Sequence, residues 1–306
     1  MIELNHLTKA FGPKLAVDNL SVTVRPGQVT GFLGPNGAGK STTMRMIIGL
    51  DRPDHGDVRV SGRRYASYTE PLRQVGALLD AKALHPGRSA EDHLRTVAAT
   101  AGIGRDRVRE MLELVGLTEV ARKRARTFSL GMTQRLGIAA ALLGDPPVII
   151  LDEPINGLDP DGIHWIRGLL RSLAGEGRTV FVSSHLMSEM ALTADQLIIL
   201  GRGRLLADVS MSDMIKSADG SIRVRTPQAE RLRELLTAQG HRVTEDAPGV
   251  MLVRGLNQDQ LAELAFANRI ILHELTPLQS SLEDAYLTLT HDAVEYSGTS
   301  DSRRAA

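Results

Sequence analysis

The segment Gly34-Pro35-Asn36-Gly37-Ala38-Gly39-Lys40-Ser41 sets glycines, a lysine and a hydroxyl at the spacing of a phosphate-cradling P-loop, directly after the apolar run Val29-Thr30-Gly31-Phe32-Leu33. Glycine lets successive backbone N–H groups turn inward around phosphate oxygens, and the start of a helix adds the favourable end of its dipole. In such a loop Lys40 reaches the β- and γ-phosphates of a nucleotide, the Ser41 hydroxyl ligates Mg²⁺, and Thr42 supports the α-phosphate. A second group is Val148-Ile149-Ile150-Leu151-Asp152-Glu153, an apolar strand ending in two carboxylates, which emerge at the sheet edge where ligands bind. Asp152 is placed to hold Mg²⁺ directly or through water, and Glu153 to act as general base or orienter of an attacking water. Alone, Asp-Glu after a strand is as often a solvated strand end; the P-loop upstream gives it chemical meaning.

These residues need a strand, a loop and a helix in that order, and the sequence supplies them. Ser21-Val22-Thr23-Val24 and Val29 to Leu33 read as strands around a Pro26-Gly27 turn, and Thr42 to Ile48 as a helix. Val58-Arg59-Val60 reads as a short strand. From Ala90 to Leu117 apolar positions recur at helical spacing around a Gly102–Gly104 turn, a mostly helical insertion that we set at about 84–145. Val148–Leu151, Thr179-Val180-Phe181-Val182 and Leu197-Ile198-Ile199-Leu200 are short apolar runs between helical stretches, the pattern of a buried parallel sheet. The first domain, 1–215, is therefore expected to be α/β.

A polar segment over 210–220 marks a boundary, and a second domain over 220–290 is expected to follow. It reads as strand (221–225), helix (228–239), strand, strand (250–254), helix (258–268) and strand (270–275), a βαββαβ order pointing to a small α+β ferredoxin-like unit closed by a helix over 281–289. The tail 291–306 is polar and expected to be disordered.

Bulk composition narrows the partners. The 306 residues include 36 basic and 36 acidic side chains, so no net charge points to nucleic acid or a membrane surface, and no nucleic-acid partner is expected. With no cysteine there is neither a disulfide framework nor a thiolate metal site, which suits a reducing compartment. The first residues lack a basic region followed by an apolar segment, and no apolar run reaches the ~18 residues of a membrane span, so any service to a membrane is expected from outside the lipid.

With these motifs in order, residues 1 to about 215 resemble an ABC-type ATPase. Ser129-Leu130-Gly131-Met132-Thr133-Gln134-Arg135 sits where that family has its signature, Leu-Ser-Gly-Gly-Gln followed by Gln-Arg; Ser129 and Gly131 match, while Phe128, Leu130 and Met132 depart from the pattern. Ser129 could equally be a plain cap for the helix running to Leu143. Asn156-Gly157-Leu158-Asp159-Pro160 resembles the family's D-loop, or is an ordinary Asp-Pro turn. His185, after Val182-Ser183-Ser184, matches the switch histidine that contacts the γ-phosphate. Phe11 matches the aromatic that stacks on adenine; without the resemblance it reads as core. Asp80 stands at the position of the family's Mg²⁺-ligating glutamine, offering a hard oxygen on a shorter arm, and its acidic character is similar to exporters linked to resistance to bacitracin and related compounds. A surface loop aspartate is the plainer alternative.

What the resemblance implies is a P-loop NTPase fold with a helical insertion, using ATP and Mg²⁺. It implies catalytic Glu153 and His185, metal ligands Ser41, Asp80 and Asp152, and nucleotide contacts from Phe11, residues 34–42, Asp80, Ser129, Gly131 and Asp159. The signature of one subunit faces the P-loop of another, so the expected partners are a second copy or a paralogous ATPase subunit. Integral membrane permease subunits are expected beside it, at the cytoplasmic face of the cell membrane. The function expected is ATP hydrolysis powering export of a drug, peptide antibiotic or similar compound. The alternative is a soluble ABC ATPase in cofactor assembly or another non-transport role. A P-loop kinase or GTPase is disfavoured, since the guanine-reading Asn-Lys-x-Asp signal is missing.

Overall fold

Val148–Leu151 and Thr179–Ser184 are buried at every position, so both faces of these strands must be covered. In the computed structural model, which describes residues 1–81, 83–217, 221–278, 282, 283, 286 and 290, the chain forms two units, Met1–Met211 and Ser212–Thr288. The first begins β1 (Ile2–Phe11), β2 (Lys14–Val24), β3 (Gln28–Leu33), α1 (Lys40–Ile47), β4 (His55–Val60) and β5 (Val75–Leu78). It continues α2 (Ala90–Ala99), α3 (Arg105–Leu114), α4 (Leu130–Leu142), β6 (Val148–Leu151), α5 (Pro160–Gly175), β7 (Thr179–Ser184), α6 (Met187–Ala191), β8 (Gln196–Gly201) and β9 (Arg204–Ser210).

Six of these strands form one sheet in the order β5-β6-β7-β3-β8-β9, parallel except for β9, and β2-β1-β4 form a separate antiparallel sheet. Between them lies a core of Ile2, Leu4, Leu7, Leu20, Val22, Phe32, Met44, Ile47, Phe181 and Ile198. Phe32 and Phe181, on neighbouring strands, meet with ring centroids 4.8 Å apart, a tilted pair that fixes β3 against β7.

The insertion is helical because its buried residues recur every three or four positions: Ala90, Leu94 and Ala98 on α2, Val108, Met111 and Leu112 on α3. Ser89 caps α2 by accepting from the Asp92 N–H, and Gly102, at φ 61°, makes the turn to α3. α4 lies hard against β5: a Cβ on Gly76 would come within 2.0 Å of the Ala141 carbonyl oxygen, so only glycine permits this approach. β5 and the antiparallel β9 are elements that short apolar runs did not announce.

α7 (Met211–Ser217) follows, and the second unit has β10 (Ser221–Arg225), α8 (Ala229–Ala238), β11 (Arg242–Ala247), β12 (Val250–Arg254), α9 (Gln258–Ala267) and β13 (Glu274–Leu278). Its sheet order is β11-β12-β10-β13, antiparallel throughout, over a core that includes Ile222, Val224, Leu232, Leu236, Met251, Val253, Leu261 and Ile270. Asn257 and Gln260 start α9 with a reciprocal capping box. The last strand is displaced from the expected 270–275: Ile270 is buried in the core, Ile271 is exposed, and pairing with β10 begins only at Glu274 opposite Arg225. The expected closing helix over 281–289 is described only at Leu282, Glu283 and Tyr286, all helical, and the tail 291–306 lies outside the described residues.

Candidate functional site

Leu33 pairs with Ser184, Leu151 with Val182, and Leu78 with Leu151, so β3 and β7 end level with each other, and β6 and β5 end together two residues earlier. The segments that leave them begin at Gly34, His185, Asp152 and Leu79-Asp80, all at the carboxyl edge where α/β sheets bind ligands.

The loop after β3 is built from conformations that L side chains resist. Gly37 has φ 82° and Gly39 φ 101°, and a Cβ on Gly39 would stand 2.3 Å from the Ala16 carbonyl oxygen. The loop delivers Lys40 as first residue of α1, with Ser41 exposed beside it and Thr42 half-buried. Phe11, Lys14 and Ala16, from the β1–β2 hairpin, join Asn36 to Thr42 and Glu153 around an open cavity of about 410 Å³. Phe11 is 52% exposed at its rim, which removes the alternative of a core residue; Lys9 Nζ stands 5.4 Å from its ring centroid. An exposed aromatic face there suits stacking on a purine.

Lys40 is buried, and its ammonium donates to the Gly34 carbonyl at 2.6 Å and the Pro35 carbonyl at 3.3 Å, with Glu153 Oε1 at 3.9 Å. Burial pulls its pKa below the ordinary lysine value, and the charges of Glu153 and Asp152 oppose that shift. Glu153 Oε2 lies 2.8 Å from His185 Nδ1, so the carboxylate bridges the lysine of the loop and the histidine after β7. The Glu153 backbone is left-handed at φ 49°, rare for a glutamate. Its N–H donates to Ser183 Oγ at 2.9 Å and its carbonyl accepts from Gln134 Nε2 at 3.2 Å. Ser183 in turn donates to Asp152 Oδ1.

Ser129, Gly131 and Asp159 form a second group, and none of them lines the cavity. Ser129 caps α4, its Oγ accepting from the Met132 N–H at 3.2 Å, and Asp159 caps α5 through the Gly162 N–H at 2.8 Å. The two helix starts lie together, since a Cβ on Gly131 would meet the Gly157 carbonyl oxygen at 2.9 Å and one on Gly157 would strike Leu130. Ser129 and Asp159 are exposed. One chain therefore carries a phosphate-type cavity and, apart from it, an exposed helix N-terminus.

Ser41, Asp152 and Asp80 offer hydroxyl and carboxylate oxygens, the hard donors Mg²⁺ prefers. Among the described residues no group of three or more His, Asp or Glu could hold an ion.

Sequence reasoning did not reach three residues here. Lys14 lines the cavity, and Ser183 and Gln134 hold the Glu153 backbone. The available signal was polarity: Ser183 follows the apolar run Val180-Phe181-Val182 on β7, and a polar side chain fully buried there needs a partner.

Comparison with known proteins agrees with this geometry. The ABC transporter family model matches residues 17–156, and a domain family of unknown function matches 220–283. An ABC transporter ATP-binding protein of Bacillus subtilis is 37% identical, covering 96% of this chain and 97% of its own. The bacitracin transport ATP-binding protein of Bacillus licheniformis is 35% identical over 94% of this chain and 97% of its own. A bacterial ABC transporter cassette solved as a dimer superposes with TM-score 0.64 at 26% identity, over 69% of this chain and 99% of the cassette; it is also known in a post-hydrolysis state with ADP and Pi.

Proposed function

Because this chain belongs to the ABC transporter ATP-binding proteins, and is thus an ATPase subunit, we propose that two copies of it enclose two Mg·ATP and drive separate membrane-spanning subunits in export. Each nucleotide would lie in the P-loop cavity of one copy, its adenine on Phe11 and its phosphates along residues 34–42. Ser129 and Gly131 of the second copy, with Asp159 at the seam, would cover the γ-phosphate. The observation that carries this reading is the Lys40–Glu153–His185 chain at the cavity's edge, together with the placement of Ser129 outside it. A half-site of this kind is complete only with a second chain.

Glu153 takes a proton from the attacking water as the water oxygen bonds to the γ-phosphorus. The bond to the β–γ bridging oxygen breaks, leaving ADP and phosphate. His185 holds the carboxylate and reaches the γ-phosphate, and Lys40 exchanges its carbonyl contacts for phosphate oxygens. Mg²⁺, when bound, offsets phosphate charge, with Ser41, Asp152 and Asp80 as its protein ligands.

The named activity of the bacitracin relative supports a peptide antibiotic or similar drug as cargo. Among the described residues no helix is long and apolar enough to cross a membrane; integral permease subunits would supply the path, with this chain bound to them at the cytoplasmic face of the cell membrane. We assign the 220–290 domain, whose strand order supports a ferredoxin-like reading, an accessory role in dimer contacts or turnover. The test is Glu153→Gln: steady ATP turnover should fall at least ~100-fold while MgATP still binds and now traps a dimer visible by light scattering. Turnover near wild type, or binding with no dimer at any concentration, overturns the reading.

A further inference from the structure

Glu153 is the acid at the reacting centre, and it is held by its backbone more than by its side chain. In left-handed conformation at φ 49°, its peptide groups cannot continue the β6 ladder. Two side chains take them up instead, together with the Asn156 N–H, which also donates to the Glu153 carbonyl at 3.2 Å. The Ser183 hydroxyl receives the Glu153 N–H while donating to Asp152, and the Gln134 carboxamide donates to the Glu153 carbonyl at 3.2 Å.

Gln134 is 3% exposed and belongs to α4. Roughly one and a half turns before it on that helix stands Ser129, at the exposed N-terminus. A single rigid element thus carries the hydroxyl available to a nucleotide outside this chain and the amide that grips this chain's own general base. Its seat is tight, because Gly76 lets α4 rest on β5, the strand next to β6. Displacement of α4 at Ser129 is therefore passed to the Glu153 carbonyl through one hydrogen bond, with no soft loop between.

We propose that Gln134 is a positioning residue for hydrolysis: its amide fixes the left-handed Glu153 backbone, and so ties the aim of the carboxylate to the position of the helix that starts at Ser129. This rests on the reading of Glu153 as general base. The amide does not touch substrate and contributes nothing to nucleotide affinity in the isolated half-site. Its loss leaves the carboxylate on His185 and the carbonyl on the Asn156 N–H, but uncouples both from α4 and loosens the aim of the acid.

The experiment is steady-state kinetics of the full chain carrying Gln134→Met, which keeps the volume, and Gln134→Glu, which keeps the shape but removes the N–H donor. Each is measured alone and combined with Glu153→Gln. Both single variants should lose kcat about 10- to 100-fold with KM for ATP and the affinity for a non-hydrolysable analogue unchanged. The Hill coefficient for ATP should fall towards one. In the Glu153→Gln background neither should lower the residual turnover further, because the group being positioned is gone. An unchanged kcat overturns the proposal. So does a parallel loss of analogue binding in both variants, or a further drop on top of Glu153→Gln, either of which marks general structural damage. Failure of the underlying reading is separate: it appears as wild-type turnover in Glu153→Gln alone.

Discussion

His185 Nδ1 lies 2.8 Å from Glu153 Oε2, joining the histidine after one buried strand to the carboxylate after its neighbour. The other carboxylate oxygen faces Lys40, so Glu153 stands between two groups that a γ-phosphate would also contact. His185→Ala should therefore lower kcat about 100-fold with a smaller change in KM, as the carboxylate loses the partner that aims it. Phosphate release assays at saturating ATP measure this, and equal losses in kcat and nucleotide affinity would contradict it.

Lys40 is a buried cation kept for function at the expense of the resting fold. Lys40→Met should reduce ATP affinity at least ~100-fold, yet leave the melting temperature of the nucleotide-free protein unchanged or raise it by about 2–4 °C. The pH dependence has a definite sign. The folded-state pKa of Lys40 lies below its unfolded value, so the unfolded chain binds more protons in the interval between them, and wild-type stability from this group rises with pH there. The advantage of Lys40→Met should accordingly be fully present below the lowered folded-state pKa and close as pH climbs towards the ordinary lysine value of about 10. Calorimetry across that range checks it.

Ser183 serves two residues with one oxygen, accepting from the Glu153 N–H and donating to the Asp152 carboxylate, and it is fully buried. Ser183→Ala should destabilise the protein by about 2 kcal/mol, since a hydrogen bond to a charged group is lost along with the partner of a backbone donor. It should also raise the Mg²⁺ concentration needed for half-maximal turnover, because Asp152 is then free to rotate. Ser183→Thr keeps the hydroxyl and should recover part of both effects; denaturant melts and Mg²⁺ titrations separate them.

The parallel sheet was legible because its strands are covered on both faces and so read as unbroken apolar runs, as at Val148–Leu151. β9 was not, because its alternation of exposed and half-buried positions carries no such signature. At the site, spacing alone located the loop at 34–41 and the acids at 152 and 153. It could not show that Glu153 turns left-handed, since beside the local Asn156 N–H its backbone is held by long-range partners, Gln134 and Ser183, 19 and 30 residues away in the chain. Phe11 is assigned to adenine stacking only through the resemblance, for a similar reason: residue type alone leaves core open, and only the β1–β2 hairpin shows that it faces the cavity.

A helix cap and an anion ligand need not be rival occupations for Ser129. A hydroxyl has one proton to give and two lone pairs to receive with. At Ser129 the oxygen receives the Met132 N–H, which consumes a lone pair and leaves the proton uncommitted among the described residues. The contact that orders the first turn of α4 thereby fixes the oxygen in space while its O–H still swings freely about the Cβ–Oγ bond. A phosphate arriving there would meet a donor already anchored at its base, with no bond in the protein to break first.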